Sequence, residues 1–117
     1  KVMYYNTNKL FTMLKTSKAD GSYLKQINKL EKQDLLIIDD FGLKALDAIN
    51  RHSFMEIIED RHGEHSIIIA SQLPVEAWHE IIGEQTIADA ILDRLVHNAH
   101  RIDIKGESMR KKLKNKD

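Results

Sequence analysis

The chain has 117 residues, 18 of them basic and 18 acidic, so its formal net charge is 0 and any pull toward nucleic acid or membrane must come from a local patch. It contains no cysteine, which excludes disulfides and thiolate metal sites and fits a reducing cytoplasm. No apolar run approaches the ~20 residues of a membrane span, and the length suits one domain with its own core.

In chain order, Val2–Tyr5 is aromatic and branched and predicts a strand. From Asn8 the period becomes helical through Leu10, Phe11 and Leu14, with Thr7 or Asn8 as the cap, and the Lys18–Gly21 segment ends that helix. A second helix follows, with Tyr23 or Leu24, Ile27 and Leu30 on one face. Asp34–Asp39, "DLLIID", is apolar on both faces, the pattern of a parallel strand covered by helices. Helical spacing resumes near Asp47 with Phe54, Ile57 and Ile58, and Gly63 suits the C-terminal glycine cap. Ser66–Ser71, "SIIIAS", is a second fully apolar strand. A turn at Pro74 leads to a short helix, with Trp78 packed under the turn. Thr86 can cap a helix carrying Ile87, Ile91, Leu92 and Leu95, and the alternating His100–Ile104 predicts a last strand. Lys105–Lys116 is a basic tail with six basic residues and one acidic. Alternation of strands and helices predicts a three-layer α/β fold with a mostly parallel sheet.

In open parallel sheets ligands sit beyond the carboxyl ends of the strands. Asp39 and Asp40 end one such strand, and Ser71 and Gln72 another. Asp39 could hold Mg²⁺, which takes oxygen ligands, and Asp40 could orient or deprotonate an attacking water; equally, both could simply mark where a strand leaves the core. The tripeptide Asp40–Gly42 is "DFG", but a protein kinase also needs an H-R-D loop, a glycine-rich loop and a strand lysine, and these are absent. The six histidines show no H-E-x-x-H or other metal-ligand spacing. The basic tail could touch DNA phosphates or be a solvated end.

"LLIIDDFG" resembles the Walker B element of AAA+ nucleotide hydrolases. Together with "SQLPVEAW", "ADAILDRL", "DRLVHNAHRI" and "GESMR" in this order, it is similar to the IstB-like helper ATPases of insertion-sequence transposition, relatives of the DnaC and DnaI helicase loaders. The resemblance spans residues 1 to about 112. It implies a P-loop NTPase (AAA+) core over residues 1–104 and a tail, 105–117, bearing a sensor-two arginine. It makes Asp39 the Mg²⁺ acid and Asp40 the water-activating acid, where the family more often has the longer Glu. Gln72 falls at the sensor-one position, where Asn is commoner. Arg94 matches the arginine finger, acting on a neighbouring subunit's nucleotide, and Arg110 matches sensor two. ATP and Mg²⁺ are the implied cofactors, and DNA, a transposase and further copies of the chain the implied partners. A helicase loader, or an inactive gene remnant, is the alternative.

Nucleotide hydrolysis of this kind needs G-x-x-x-x-G-K-[ST]. None of Gly21, Gly42, Gly63, Gly83 or Gly106 begins that pattern. The sequence therefore looks like the family without its first core strand and phosphate loop, and two expectations follow. The chain alone binds ATP poorly or not at all. The sheet lacks a strand between His100–Ile104 and Ser66–Ser71, leaving either a gap or a shifted last strand.

Overall fold

The computed structural model describes residues 1–98. Strand β1, Val2–Asn6, leads into helices α1, Thr7–Asp20, and α2, Tyr23–Glu31; strand β2, Leu35–Asp39, into α3, Ala48–Arg61. Strand β3, Ser66–Ile69, is followed by a single 3₁₀ turn at Val75–Ala77, then α4, Trp78–Ile82, and α5, Gln85–Asn98. The expected last strand, the basic tail and Arg110 lie outside the described residues, so neither arrangement expected at the β3 side can be read from them.

Among the described residues the strands form one parallel sheet in the order β1-β2-β3, as the paired apolar runs predict. Tyr4 stands opposite Ile37, Asn6 opposite Asp39, and Ile37 opposite Ile68. Crossovers between parallel strands are right-handed as a rule, and two that step the same way across a sheet put both connections on the same face. The alternate residues Leu36 and Ile38 are accordingly sealed in the core, with Met3, Tyr5, Ile67 and Ile69 packed against it. On the other face Leu35 and Ile37 are half-buried, whereas Val2, Tyr4 and Ile68 are 65%, 59% and 50% exposed, so the described helices cover one side of the sheet.

The core is aromatic at its centre. Phe54 of α3 meets Phe11 of α1 edge-on at 6.0 Å and Phe41 at 5.2 Å, and Phe41 meets Trp78 at 4.7 Å. Such pairs contribute about 0.5–1.5 kcal/mol each beyond the area they bury. Trp78 is buried under the Pro74 turn as expected, its indole N–H donating to the Leu73 carbonyl at 3.2 Å. Of the alternatives for α2, Tyr23 packs inward and Leu24 points to solvent.

Two helix starts differ from expectation, for one reason. A capping side chain must reach back-bonded N–H groups two or three residues ahead, so it sits before the first apolar repeat. Asn6, still in β1, caps α1 by accepting from the amides of Asn8 and Lys9, in place of Thr7 or Asn8. Glu84 accepts from the amides of Thr86 and Ile87 at the start of α5, in place of Thr86. At the end of α3 the capping residue is the extended His62, and Gly63 follows it at φ +77.

Arg61 is 2% exposed, and its guanidinium donates to the carbonyls of Leu30 and Ser66. It thus ties the end of α2 to the start of β3. Burial lowers its pKa, with Asp34 acting in the opposite direction.

Candidate functional site

Asp39 is the last residue of β2, and Asp40 is the first residue beyond it. Asp40 is the only non-glycine residue with positive φ among those described, at +59°. This left-handed conformation costs most side chains about 1–2 kcal/mol, and Asp is among the few that tolerate it. It marks the sharp turn where the chain leaves the strand, and the two consecutive carboxylates find different partners.

Each carboxylate is held. Asp39 Oδ1 accepts the Asp40 amide at 2.9 Å, and Asp39 Oδ2 accepts the hydroxyl of Tyr4. That hydrogen bond, ahead of desolvation and of the charges on Asp39 and Asp40, raises the Tyr4 phenol above its ordinary pKa. Asp40 Oδ2 accepts the Asn6 amide at 3.0 Å, while the other end of the same amide caps α1. Thr7 closes the corner by donating to the Asp39 carbonyl at 2.6 Å. Tyr4, Asn6 and Thr7 all come from the β1–α1 junction. They meet the acids because the parallel register brings the ends of β1 and β2 together.

The next two residues anchor the turn. The Phe41 ring is 1% exposed within the aromatic cluster, its amide donates to the Ala70 carbonyl at 3.0 Å, and its carbonyl accepts the Ser71 hydroxyl at 2.5 Å. Gly42 has φ +99, a left-handed conformation that side chains rarely adopt, so the backbone favours glycine, and a Cβ there would displace the tip of the Leu73 side chain, 2.7 Å away. The "DFG" tripeptide is therefore a turn with an aromatic pin.

Ser71 also accepts the Leu73 amide, fixing the exit from β3 beside the exit from β2. Gln72 consequently stands on the same rim as Asp39 and Asp40, exposed to solvent. Arg94 does not. It lies in α5, with Nη1 donating to the Ala90 carbonyl and Nη2 3.4 Å from Glu59 near the end of α3. It lines a small cavity with Arg61, His62 and His65, at the start of β3 and thus at the opposite end of the strands. Asp89, on the same helix, pairs with His79, 2.5 Å away.

The rim fits a Mg²⁺–nucleotide better than a self-contained metal site. Among the described residues no group of three or more His, Cys, Asp or Glu is placed to hold a metal ion. Mg²⁺ is commonly bound by one or two carboxylates, with waters and substrate phosphates completing its shell. Two adjacent carboxylates at the strand end, each with acceptor positions left over from its hydrogen bonds, match that donor set.

Residues 1–117 match the model of the family described as IstB-like ATP binding protein. The insertion sequence ATP-binding protein y4pL of Sinorhizobium fredii is 54% identical over 115 residues, covering 98% of this chain and 47% of that protein. The corresponding IS21 protein of Pseudomonas aeruginosa is 31% identical over 116 residues, covering 99% and 44%. The chain thus spans about half the length of the curated relatives it matches. Two solved structures share its fold: DnaI, with TM-score 0.71, 23% identity and coverage of 86% of this chain and 55% of that one, and the DnaC helicase loader, with 0.61, 20%, 78% and 56%. No described helix is long and apolar enough to cross a membrane.

Proposed function

The chain belongs to the IstB-like ATP-binding family, and from that premise we propose that it carries the metal and water half of an ATP-hydrolysing site that serves DNA transposition. The observation that carries this reading is the Asp39–Asp40 pair, fixed by Tyr4 and Asn6 at the end of a parallel strand. Asp39 holds Mg²⁺. Bound there, the ion would offset the charge that develops on the phosphoryl oxygens. Asp40 orients the attacking water and takes its proton, and its hydrogen bond to Asn6 sets the direction of the carboxylate. Gln72, on the same rim, donates its amide toward the terminal phosphate.

Arg94 faces away from this rim, which supports action on the nucleotide of a neighbouring copy rather than on its own. Arg110 contacts phosphate as sensor two. The pattern G-x-x-x-x-G-K-[ST] does not occur within the 117 residues, so residues 1–117 by themselves bind ATP weakly. DNA is a partner: the exposed lysines Lys9, Lys15 and Lys18 of α1, Lys25 and Lys29 of α2, and Lys32 just beyond place basic charge on one helix pair in a chain with no net charge. The basic segment 105–117 adds to it. A transposase and further copies of the chain complete the assembly, which works in the cytoplasm.

The test replaces the matching segment of the S. fredii relative y4pL with residues 1–117 and follows Mg²⁺-dependent ATP binding and hydrolysis. Asp40→Asn is expected to bind ATP and to hydrolyse it about 10²–10⁴-fold more slowly, and Asp39→Asn to lose the Mg²⁺ dependence of binding. An Asp40→Asn chimaera that hydrolyses at the parental rate overturns the assignment. Pull-down against a transposase and a replicative helicase separates a transposition role from helicase loading.

A further inference from the structure

Tyr4 is the most exposed tyrosine in a specific contact. Its ring lies on the uncovered face of the sheet and is 59% exposed, between Val2 along its own strand and Ile37 on the next. Packing does not account for it, since Tyr5, its neighbour on the other face, is the one that joins the core. What Tyr4 does make is one directed bond, from its hydroxyl to Asp39 Oδ2. The register explains the reach. Tyr4 is opposite Ile37, so Asp39 is two residues further along the same face, a climb of about 6.6 Å that a para-hydroxyl spans.

A carboxylate offers about four lone-pair sites. On Asp39 one is taken by the Asp40 amide and one by Tyr4, on different oxygens. The group is therefore clamped from both sides while further acceptor positions remain for a cation. Hydrogen bonds to a metal-ligating carboxylate orient it, and losing such a partner commonly weakens metal affinity 10–100-fold.

We propose that Tyr4 is a positioning residue for the metal acid, holding the Asp39 carboxylate in the orientation that receives a divalent cation. The proposal rests on the assignment of Asp39 as metal ligand. It requires the hydroxyl and not the ring, and it fixes the sign of the effect: a hydroxyl that merely blocked the carboxylate would weaken metal binding, and its removal would strengthen it.

The experiment titrates Mn²⁺ into the ¹⁵N-labelled chimaera with y4pL, with a non-hydrolysable ATP analogue bound throughout, and follows paramagnetic broadening of the Asp39 and Asp40 amide signals, with Mg²⁺ added back as competitor. Parental protein is expected to show broadening at these two residues, reversed by Mg²⁺. Tyr4→Phe is expected to need about tenfold more Mn²⁺ for half-effect, with an unchanged thermal midpoint, because an exposed hydroxyl contributes little to folding. Tyr4→Leu, which removes ring and hydroxyl together, gives the same Mn²⁺ shift. Tyr5→Phe leaves the Mn²⁺ titration where it was. A Tyr4→Phe protein that titrates with the parental protein, or more tightly, overturns the role of Tyr4. Absence of broadening at Asp39 and Asp40 in the parental protein overturns the metal assignment beneath it, and Tyr4's role with it.

Discussion

Substituting Asp40 by glycine and by alanine tests whether the site stores backbone strain. Both changes remove the carboxylate and with it the 3.0 Å bond from Asn6, a loss of about 0.5–1.5 kcal/mol common to the two. They differ in what they do to a residue held at φ +59. Alanine keeps the left-handed penalty of about 1–2 kcal/mol, and glycine is free of it. Glycine instead costs about 0.5–1 kcal/mol through the greater freedom of the unfolded chain. The balance favours Asp40→Gly over Asp40→Ala by about 1 kcal/mol, a difference of about 4 °C in melting temperature for a domain of this size. At an ordinary strand or helix position the order is the reverse. Thermal unfolding of the two variants by circular dichroism, in the same buffer, measures it. If Asp40→Ala proves as stable as Asp40→Gly or more so, Asp40 is not held in the left-handed conformation.

Phe41→Leu keeps an apolar residue but removes two aromatic contacts, so urea denaturation is expected to show a loss of about 1–3 kcal/mol, and amide exchange at Asp40 should quicken with it. In Asp47 the carboxylate is held below its ordinary pKa by Lys15 and then by the Asn50 amide, and in Glu84 by the amides of Ile87 and Thr86. Both groups gain protons less readily when folded, so their stabilisation is complete above the unfolded values of about 3.9 and 4.3 and is lost as pH falls through the lower folded values. Urea midpoints measured from pH 6 to pH 3 should therefore fall, and less steeply in Glu84→Gln. Asp47→Ala should cost about 1 kcal/mol at pH 7, as for loss of an N-cap. In the chimaera with y4pL, Arg94→Ala should leave ATP binding intact and lower hydrolysis about 10³-fold or more; parental turnover in that variant would remove Arg94 from catalysis.

The sheet was legible because its strands are unusual in composition: "LLIID" and "SIII" are short, apolar and rich in isoleucine, as parallel strands are, and two carboxylates at the end of the first mark its exit. Family motifs then gave roles to Asp39, Asp40, Gln72 and Arg94, and the structure gathers the first three on one rim and sets the fourth at the other end. The residues that hold the acids were not legible. Tyr4 and Asn6 lie 35 and 34 positions from their partners, and nothing local announces a register between parallel strands, since a helical crossover can deliver the second strand at more than one offset. Asn6 was hidden further by its double use, as strand end and helix cap. Arg61 was equally unforeseen. At a helix terminus a cation is ordinarily solvated, and only the folded chain shows that the carbonyls of Leu30 and Ser66 converge on it.

Among the described residues β3 pairs with β2 alone. Three successive isoleucines without a charge or a proline form a template on which the same segment of another copy can lay itself. For anyone handling the isolated chain, the quantity to watch is concentration: self-association through such a strand would rise with the number of copies in solution, and a lysine at the half-exposed Ile68 would be the smallest change that discourages it.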